Sequence, residues 1–454
     1  MRNLSSRGED VVVGLLTEEA RRTNIFGPIL LLSLFSSVTN YLPVSVAAST
    51  IGLALWPFGL TLGWRVSKPI FALAVMFGFF FLYVVIYNAE LFTQISFYRR
   101  DGNVFVTLVP LLFFACLAIP LDVEYILKRF AYFATGLNLV VFLVWVVFGV
   151  ALLRQYGTDL DSGTQHYYFL FVAHNAAGGF IGILASLTLA LYLYNRSRLH
   201  LAMVAINVIT LAATFSRGSI GGFIGAVLLI YIFSFGKRWP IWVLSGMLAI
   251  NLLLVGYIYD NTDIQTVLYR QLLVTEAIGN LHPAFQPLLD GNMATRVEVL
   301  WPMALHAFFQ SPIIGIGFSG FNDVQWELWG WPGVIAFNGS QKVVNSDATA
   351  HNTYMQLLAE TGIIGLGLFF WFVKRLFDYL KGCEPGMVTD AIYLAFWMAL
   401  ISAFSEHRFF SPSQMLPFIL ILAMTMANNN YREKIAQHMA NVRVMSARAA
   451  LRQT

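Results

Sequence analysis

Apolar runs about as long as a bilayer is thick recur along this chain from Ile25 to Ala427, with short polar breaks between them. A spanning helix needs roughly 20 apolar residues, and these runs do not alternate residue by residue as barrel strands do. The pattern predicts an all-α polytopic membrane protein with about 12 transmembrane helices, at 25–41, 44–63, 69–90, 104–121, 130–153, 167–194, 199–215, 219–235, 240–258, 354–373, 388–405 and 413–428. One polar stretch, Tyr259 to Ala350, breaks the rhythm and runs straight into AHNTYMQLLAETGIIGLG. A structureless loop of that length is unusual in a compact protein, so short helices are expected within it. TRVEVLWPMALHAFF sets Val297, Leu300, Ala304 and Ala307/Phe308 at helical spacing, and Pro312, Gly315 and Gly317 end it in a turn. The FSGFNDVQWELWGWPG that follows is aromatic and Gly-rich, suited to a headgroup layer or to sugar rings.

Composition agrees with the pattern. The chain is 58% hydrophobic and 11% charged, with a mean hydropathy of +0.67, values that a water-facing surface could hardly carry. The first apolar run follows Arg21/Arg22 and an acidic stretch with Glu9, Asp10, Glu18 and Glu19, so it reads as a first span and not as a cleavable signal. Lys and Arg cluster at alternate span ends: Arg21/Arg22, Arg65/Lys68, Lys128/Arg129, Arg196/Arg198, Lys237/Arg238, Lys374/Arg375/Lys381 and the C-terminal cations from Arg432 to Arg452. The positive-inside rule makes these ends and both termini cytoplasmic, with Arg99/Arg100 the main exception. The expected organisation is a cytoplasmic tail at 1–24, nine transmembrane helices in 25–258, a periplasmic loop with active-site residues at 259–353, three helices in 354–428, and a basic cytoplasmic tail at 429–454. The two cysteines, Cys116 and Cys383, fall near cytoplasmic ends, which argues against a disulfide framework. The net charge of +4 is spread along the membrane surface, so no compact basic domain exists to hold nucleic acid.

The candidate chemistry gathers at the outer face. His351 precedes a helix that Asn352 can cap, and the positive helix end disfavours a charged imidazole, which leaves a usable base; the plain alternative is a loop histidine satisfying a hydrogen bond. Glu360 lies nine residues on, about 13 Å along a straight helix and inside the hydrocarbon, as a structural anchor or part of a proton path. Gly362, Gly365 and Gly367 permit close packing around it and favour the structural role. Arg217, in FSRGSIGG, is either a snorkelling anchor or a phosphate ligand beside free helix N–H groups. Arg296 could equally pair with Glu298 or Asp290 on a surface, and Arg408, in SEHRFFSP, with Glu406. Arg270 is a further cation of the loop. His174 and Asn175, seven and eight residues after Tyr167, read as packing residues of a Gly-rich helix, since no second ligand recurs at metal spacing. A set of arginines and a histidine on one face, with neither an acidic metal cluster nor a P-loop, suits a ligand carrying a diphosphate and a reacting hydroxyl.

Three segments carry a resemblance: SRG at Ser216–Gly218, the stretch from Arg296 through SPIIGIGFSGF, and HNTYMQLLAETGIIG from His351 to Gly365. Together they resemble the bacterial O-antigen ligase and polysaccharide polymerase superfamily over about the C-terminal half of the chain, with HNAAGG near His174 a weaker echo. The resemblance implies an inverting, metal-independent membrane glycosyltransferase of the GT-C type in the bacterial inner membrane. Its implied donor is an undecaprenyl diphosphate-linked glycan, with no cofactor. Carried over by motif, Arg217 and Arg296 would neutralise the diphosphate and His351 would orient or deprotonate the acceptor hydroxyl, while Asn352 and Glu360 would be structural. Arg408 and Arg270 have no counterpart in those motifs and are added on position alone.

Two readings share this site: a polymerase of O-antigen or exopolysaccharide repeat units, which is favoured because it needs no lipid A recognition, and a ligase that moves a finished glycan onto a lipid A core acceptor. A lipid-linked oligosaccharide flippase is the more distant alternative; it would call for charged groups along a mid-membrane path, whereas the polar groups here collect at one face.

Overall fold

The computed structural model describes residues 25–38, 42–61, 63–93, 102–148, 166–171, 174–260, 296, 300–321, 335–338, 341–344 and 350–451. Their helices of ten residues or more are α1 (Phe26–Ser37), α2 (Leu42–Thr61), α3 (Lys68–Asn88), α4 (Asn103–Phe114), α5 (Val123–Phe148), α6 (His174–Asn195), α7 (Arg198–Ala213), α8 (Arg217–Val227), α9 (Pro240–Asp260), α10 (Trp301–Gln310), α11 (Thr353–Gly382), α12 (Met387–Ser402) and α13 (Pro412–Leu451). The architecture is helical with one exception to the all-α expectation, an antiparallel hairpin of β1 (Ile335–Asn338) and β2 (Gln341–Val344) in register Ile335↔Val344 to Asn338↔Gln341. Each of the twelve apolar segments overlaps a helix. Among the described residues five helices are long and apolar enough to cross a membrane, namely α3, α5, α6, α9 and α11.

The boundaries differ from the expected ones where side chains intervene. The run expected at 167–194 begins its helix only at His174, because Tyr167 is held outside it: its N–H donates to Ala213 O (3.0 Å) and its hydroxyl to Asn138 Oδ1 (2.8 Å). The run at 130–153 starts earlier, at Val123, where the Asp122 carboxylate accepts from Tyr125 N–H (3.0 Å) and caps the first turn. The last helix does not stop at Asn428 but continues into the expected tail as far as Leu451.

The largest departure concerns α11. At Gly362 the backbone turns to φ 62, ψ −161, so two helices meet at a break. The segment Pro312–Gly317 fills that break reciprocally. Ile316 and Gly317 N–H donate to Ala359 O (2.9 Å) and Glu360 O (3.0 Å), and Ile363 and Ile364 N–H donate to Pro312 O (2.9 Å) and Ile313 O (3.2 Å). Backbone groups left open in an apolar surround cost several kcal/mol each, so this exchange lets a broken helix exist at all. The expected loop helix is α10, and with Phe321, Ala350, Met355 and Ala359 it builds a second small core that seats it on the first half of α11.

A Cβ at Gly362 would lie 2.5 Å from the Ile313 carbonyl carbon and 2.7 Å from Gly315 N, at a positive φ that L side chains avoid. Gly362→Ala is therefore expected to destabilise the protein by about 3 kcal/mol or more, beyond the strain of a left-handed residue alone. Thermal unfolding in detergent reads this directly; a melting temperature equal to wild type would mean that the break tolerates a side chain.

Candidate functional site

The site is built where three chain turns meet: the start of α11, the turn after α12, and the start of α8. At the first, Asn352 is a buried N-cap whose side chain accepts from Tyr354 N–H (3.1 Å) and Met355 N–H (3.2 Å) and whose amide donates to Asn251 Oδ1 on α9 (3.2 Å). Ala350 is pinned through its N–H to Gln356 Oε1 (2.8 Å) and through its carbonyl to Trp301 Nε1 (3.1 Å). Thr353 ties the same turn to the second one, its N–H donating to Ala403 O (2.9 Å) and its hydroxyl to Glu406 O (3.1 Å). Between these fixed neighbours His351 is held at φ 46. A non-glycine residue pays about 1–3 kcal/mol there and keeps the conformation only because its surroundings impose it.

Glu406 is the centre of the site. Its Oε1 accepts from Arg296 Nη1 (2.9 Å), and its Oε2 lies 3.9 Å from His351 Nδ1. Arg296 also donates through Nη1 to Ser405 O (2.6 Å). Burial alone would raise the Glu406 pKa, but His351, Arg296 and Arg408 outweigh it and hold the carboxyl at about 2. Burial likewise lowers the pKa of His351; the Glu406 carboxylate opposes that shift, while Arg296 and His407 add to it. The imidazole is thus neutral at pH 7, able to accept a proton, and its side chain is 38% exposed. Arg296 is 5% exposed, and its Nε and Nη2 have no hydrogen-bond partner among the described residues. A buried guanidinium with two donor sites unmatched among the described residues, beside a neutral imidazole, has the chemistry to accept a hydrogen-bonding anion.

Arg217 opens α8 and is exposed. Its neighbour Gly218 brings the helix onto the turn after α12, since a Cβ there would lie 3.6 Å from Glu406 Cγ. Arg408, offered by the sequence as a further phosphate ligand, is placed inside the fold. It is 1% exposed, and its donors are engaged inside the fold: Nε on Ser402 Oγ (3.0 Å), Nη1 on Asn175 O (3.0 Å) and Gln414 Oε1, and Nη2 on Ser219 Oγ. It clamps α6, α8, α12 and α13 together, and burial lowers its pKa only to about 10, which leaves it a cation. Arg270 lies outside the described residues.

Glu360 lies in the first half of α11, ahead of the break at Gly362, and its Oε1 accepts from Gln356 Nε2 (2.5 Å) and from Phe321 N–H (3.3 Å). Gly365, a turn later, packs directly on the Thr361 side chain. His174 stands at the start of α6, not deep in a span; its Nδ1 is 3.1 Å from Thr214 O and its ring stacks on His166 at 4.6 Å. Asn175 contributes its carbonyl to Arg408. Among the described residues no group of three or more His, Cys, Asp or Glu is placed to hold a metal ion.

Sequence reasoning missed the role of Glu406, which it treated only as a partner for Arg408. The available signal was an acid directly before a histidine, in SEHR, at the end of an apolar run expected on the same face as His351. Residues 202–370 match the family model described as O-antigen ligase, a segment that holds Arg217, Arg296, His351 and Glu360 and stops before Glu406. No curated protein matches the chain.

Proposed function

We propose, from the match of residues 202–370 to the O-antigen ligase family model, that the chain is a membrane glycosyltransferase of the O-antigen ligase and polysaccharide polymerase superfamily that transfers an undecaprenyl diphosphate-linked glycan to an acceptor hydroxyl at the periplasmic face of a bacterial inner membrane, both of its termini being cytoplasmic. The observation that carries this reading is the buried Arg296 guanidinium, whose Nε and Nη2 have no hydrogen-bond partner among the described residues, beside His351. In the proposed step the acceptor oxygen attacks the anomeric carbon and its proton passes to His351. The bond from that carbon to the phosphate oxygen breaks, and the diphosphate leaves with the electron pair. Single displacement inverts the anomeric centre. Arg296 and Arg217 stabilise the departing charge in a poorly hydrated setting, where such stabilisation is usually the largest contribution to rate. The step as written needs neither metal nor cofactor.

Of the two acceptors, a second lipid-linked repeat unit is favoured over lipid A core, because joining repeat units demands no further recognition surface. Deletion separates them: a core capped with a single repeat indicates a lost polymerase, and full-length chains stranded on the carrier indicate a lost ligase.

Purified protein in detergent is expected to transfer glycan from a diphosphate lipid, and Arg217→Ala to remove that transfer while folding is retained. Arg296→Lys is expected to lower kcat/KM by roughly 10-fold to 100-fold, because a lysine cannot present two donors in a fixed plane to phosphate. Normal turnover by Arg296→Lys would reduce Arg296 to an internal ion pair with Glu406.

A further inference from the structure

Phe215 is a bulky residue at φ 54, 59% exposed, two residues before Arg217. A large side chain in the left-handed region is strained, and such strain collects at binding sites. The turn that imposes it is braced from both sides. Phe215 N–H donates to Ala212 O (3.0 Å), Ser216 N–H to Thr214 Oγ1 (3.2 Å), and Tyr167 N–H to Ala213 O (3.0 Å). Two imidazoles complete the surround. His166 meets the Phe215 ring edge-on at 5.4 Å and stacks on His174 at 4.6 Å, and His174 is fixed through Nδ1 at Thr214 O.

An exposed apolar ring met by one imidazole, which a second imidazole stacks upon, suits a pyranose, whose C–H face is apolar and whose rim carries hydroxyls. A hydrocarbon chain would gain nothing from the imidazoles, and interfacial anchoring favours Trp and Tyr. Position agrees: the start of α8 that carries Arg217 abuts Glu406, which holds Arg296 and borders His351. A ring bonded to a diphosphate held at Arg217 comes to lie against residues adjacent to that arginine.

We propose that Phe215, with His166 and His174, forms a sugar subsite for the pyranose joined to the donor diphosphate. This rests on the diphosphate reading given above and adds a recognition element for the glycan itself.

The test measures binding of two probes to the full-length protein in detergent: undecaprenyl diphosphate alone, and undecaprenyl diphosphate bearing one N-acetylhexosamine. Wild type is expected to bind the sugar-bearing lipid more tightly. Phe215→Ala is expected to weaken that lipid by about tenfold, in line with one lost aromatic contact, and to leave the bare lipid unchanged. Phe215→Leu should lose as much as alanine, and Phe215→Trp should retain binding. Equal loss on both probes, full rescue by leucine, or no preference for the sugar in wild type would overturn the subsite; the first two would assign Phe215 to the bilayer. Arg217→Ala separates the two proposals, because it should weaken both probes alike. If it weakens neither, the diphosphate reading fails whatever Phe215 does.

Discussion

His351→Ala is expected to lower kcat by roughly 10²-fold to 10⁴-fold, the usual contribution of a positioned general base, with the protein still folded and monodisperse. The pH profile adds a signature that a merely structural histidine would not give. Burial, chiefly, lowers the His351 pKa from the ordinary 6.5. The active form is the neutral one, so the rate is full at pH 7 and falls as pH drops through a value below 6.5. An acid limb centred at or above 6.5 would contradict the environment described for this imidazole. A second variant isolates the strain. Glycine accepts φ 46 without cost, so His351→Gly should be as inactive as His351→Ala yet more stable by about 1 kcal/mol. Retained activity in both variants would leave His351 as a turn residue and nothing more.

The parts of this site that were legible in the sequence are those that follow from local rules. Apolar run length located the helices, the Asn352 cap followed from its place before a helical run, and α10 followed from the spacing of Leu300, Ala304 and Ala307. What local rules could not supply was pairing across distance. SPIIGIG and ETGIIG looked like two motifs, each with glycines for close packing. In the fold they are two halves of one hydrogen-bonded junction, because Gly315 and Gly362 both adopt positive φ and let the two backbones exchange donors and acceptors. A straight helix was the natural reading of Thr353–Gly382, and it missed the break that Gly362 introduces two residues after Glu360. The arginines show the same limit. Arg408 and Arg296 are alike as letters beside acidic residues, but one is surrounded by internal acceptors and the other keeps two donors unmatched among the described residues. Only the tertiary arrangement separates a clamp from a receptor.

The largest stability effect is expected from Glu406→Gln. Among the described residues Glu406 is the anion that faces Arg296, Arg408 and His351, and its pairing with Arg296 is buried. Removing the charge leaves two guanidiniums in a poorly hydrated space, and breaking a buried ion pair from one side costs about 3–5 kcal/mol. The linkage sign follows from the pKa held at about 2 against an ordinary 4.5. A depressed carboxyl pKa contributes stability that is complete above the ordinary value and is lost as pH falls toward the folded value. The gap in stability between wild type and Glu406→Gln should therefore be constant above about pH 5 and narrow below 4.5. Glu406→Asp, which keeps the charge, should recover part of it. Catalysis supplies an independent readout, because the Glu406 carboxylate raises the His351 pKa. Its removal should move the acid limb of any residual activity to still lower pH. An unchanged unfolding curve would deny the buried cluster its energetic role, and an acid limb that stays in place would show that Glu406 and His351 do not sense one another.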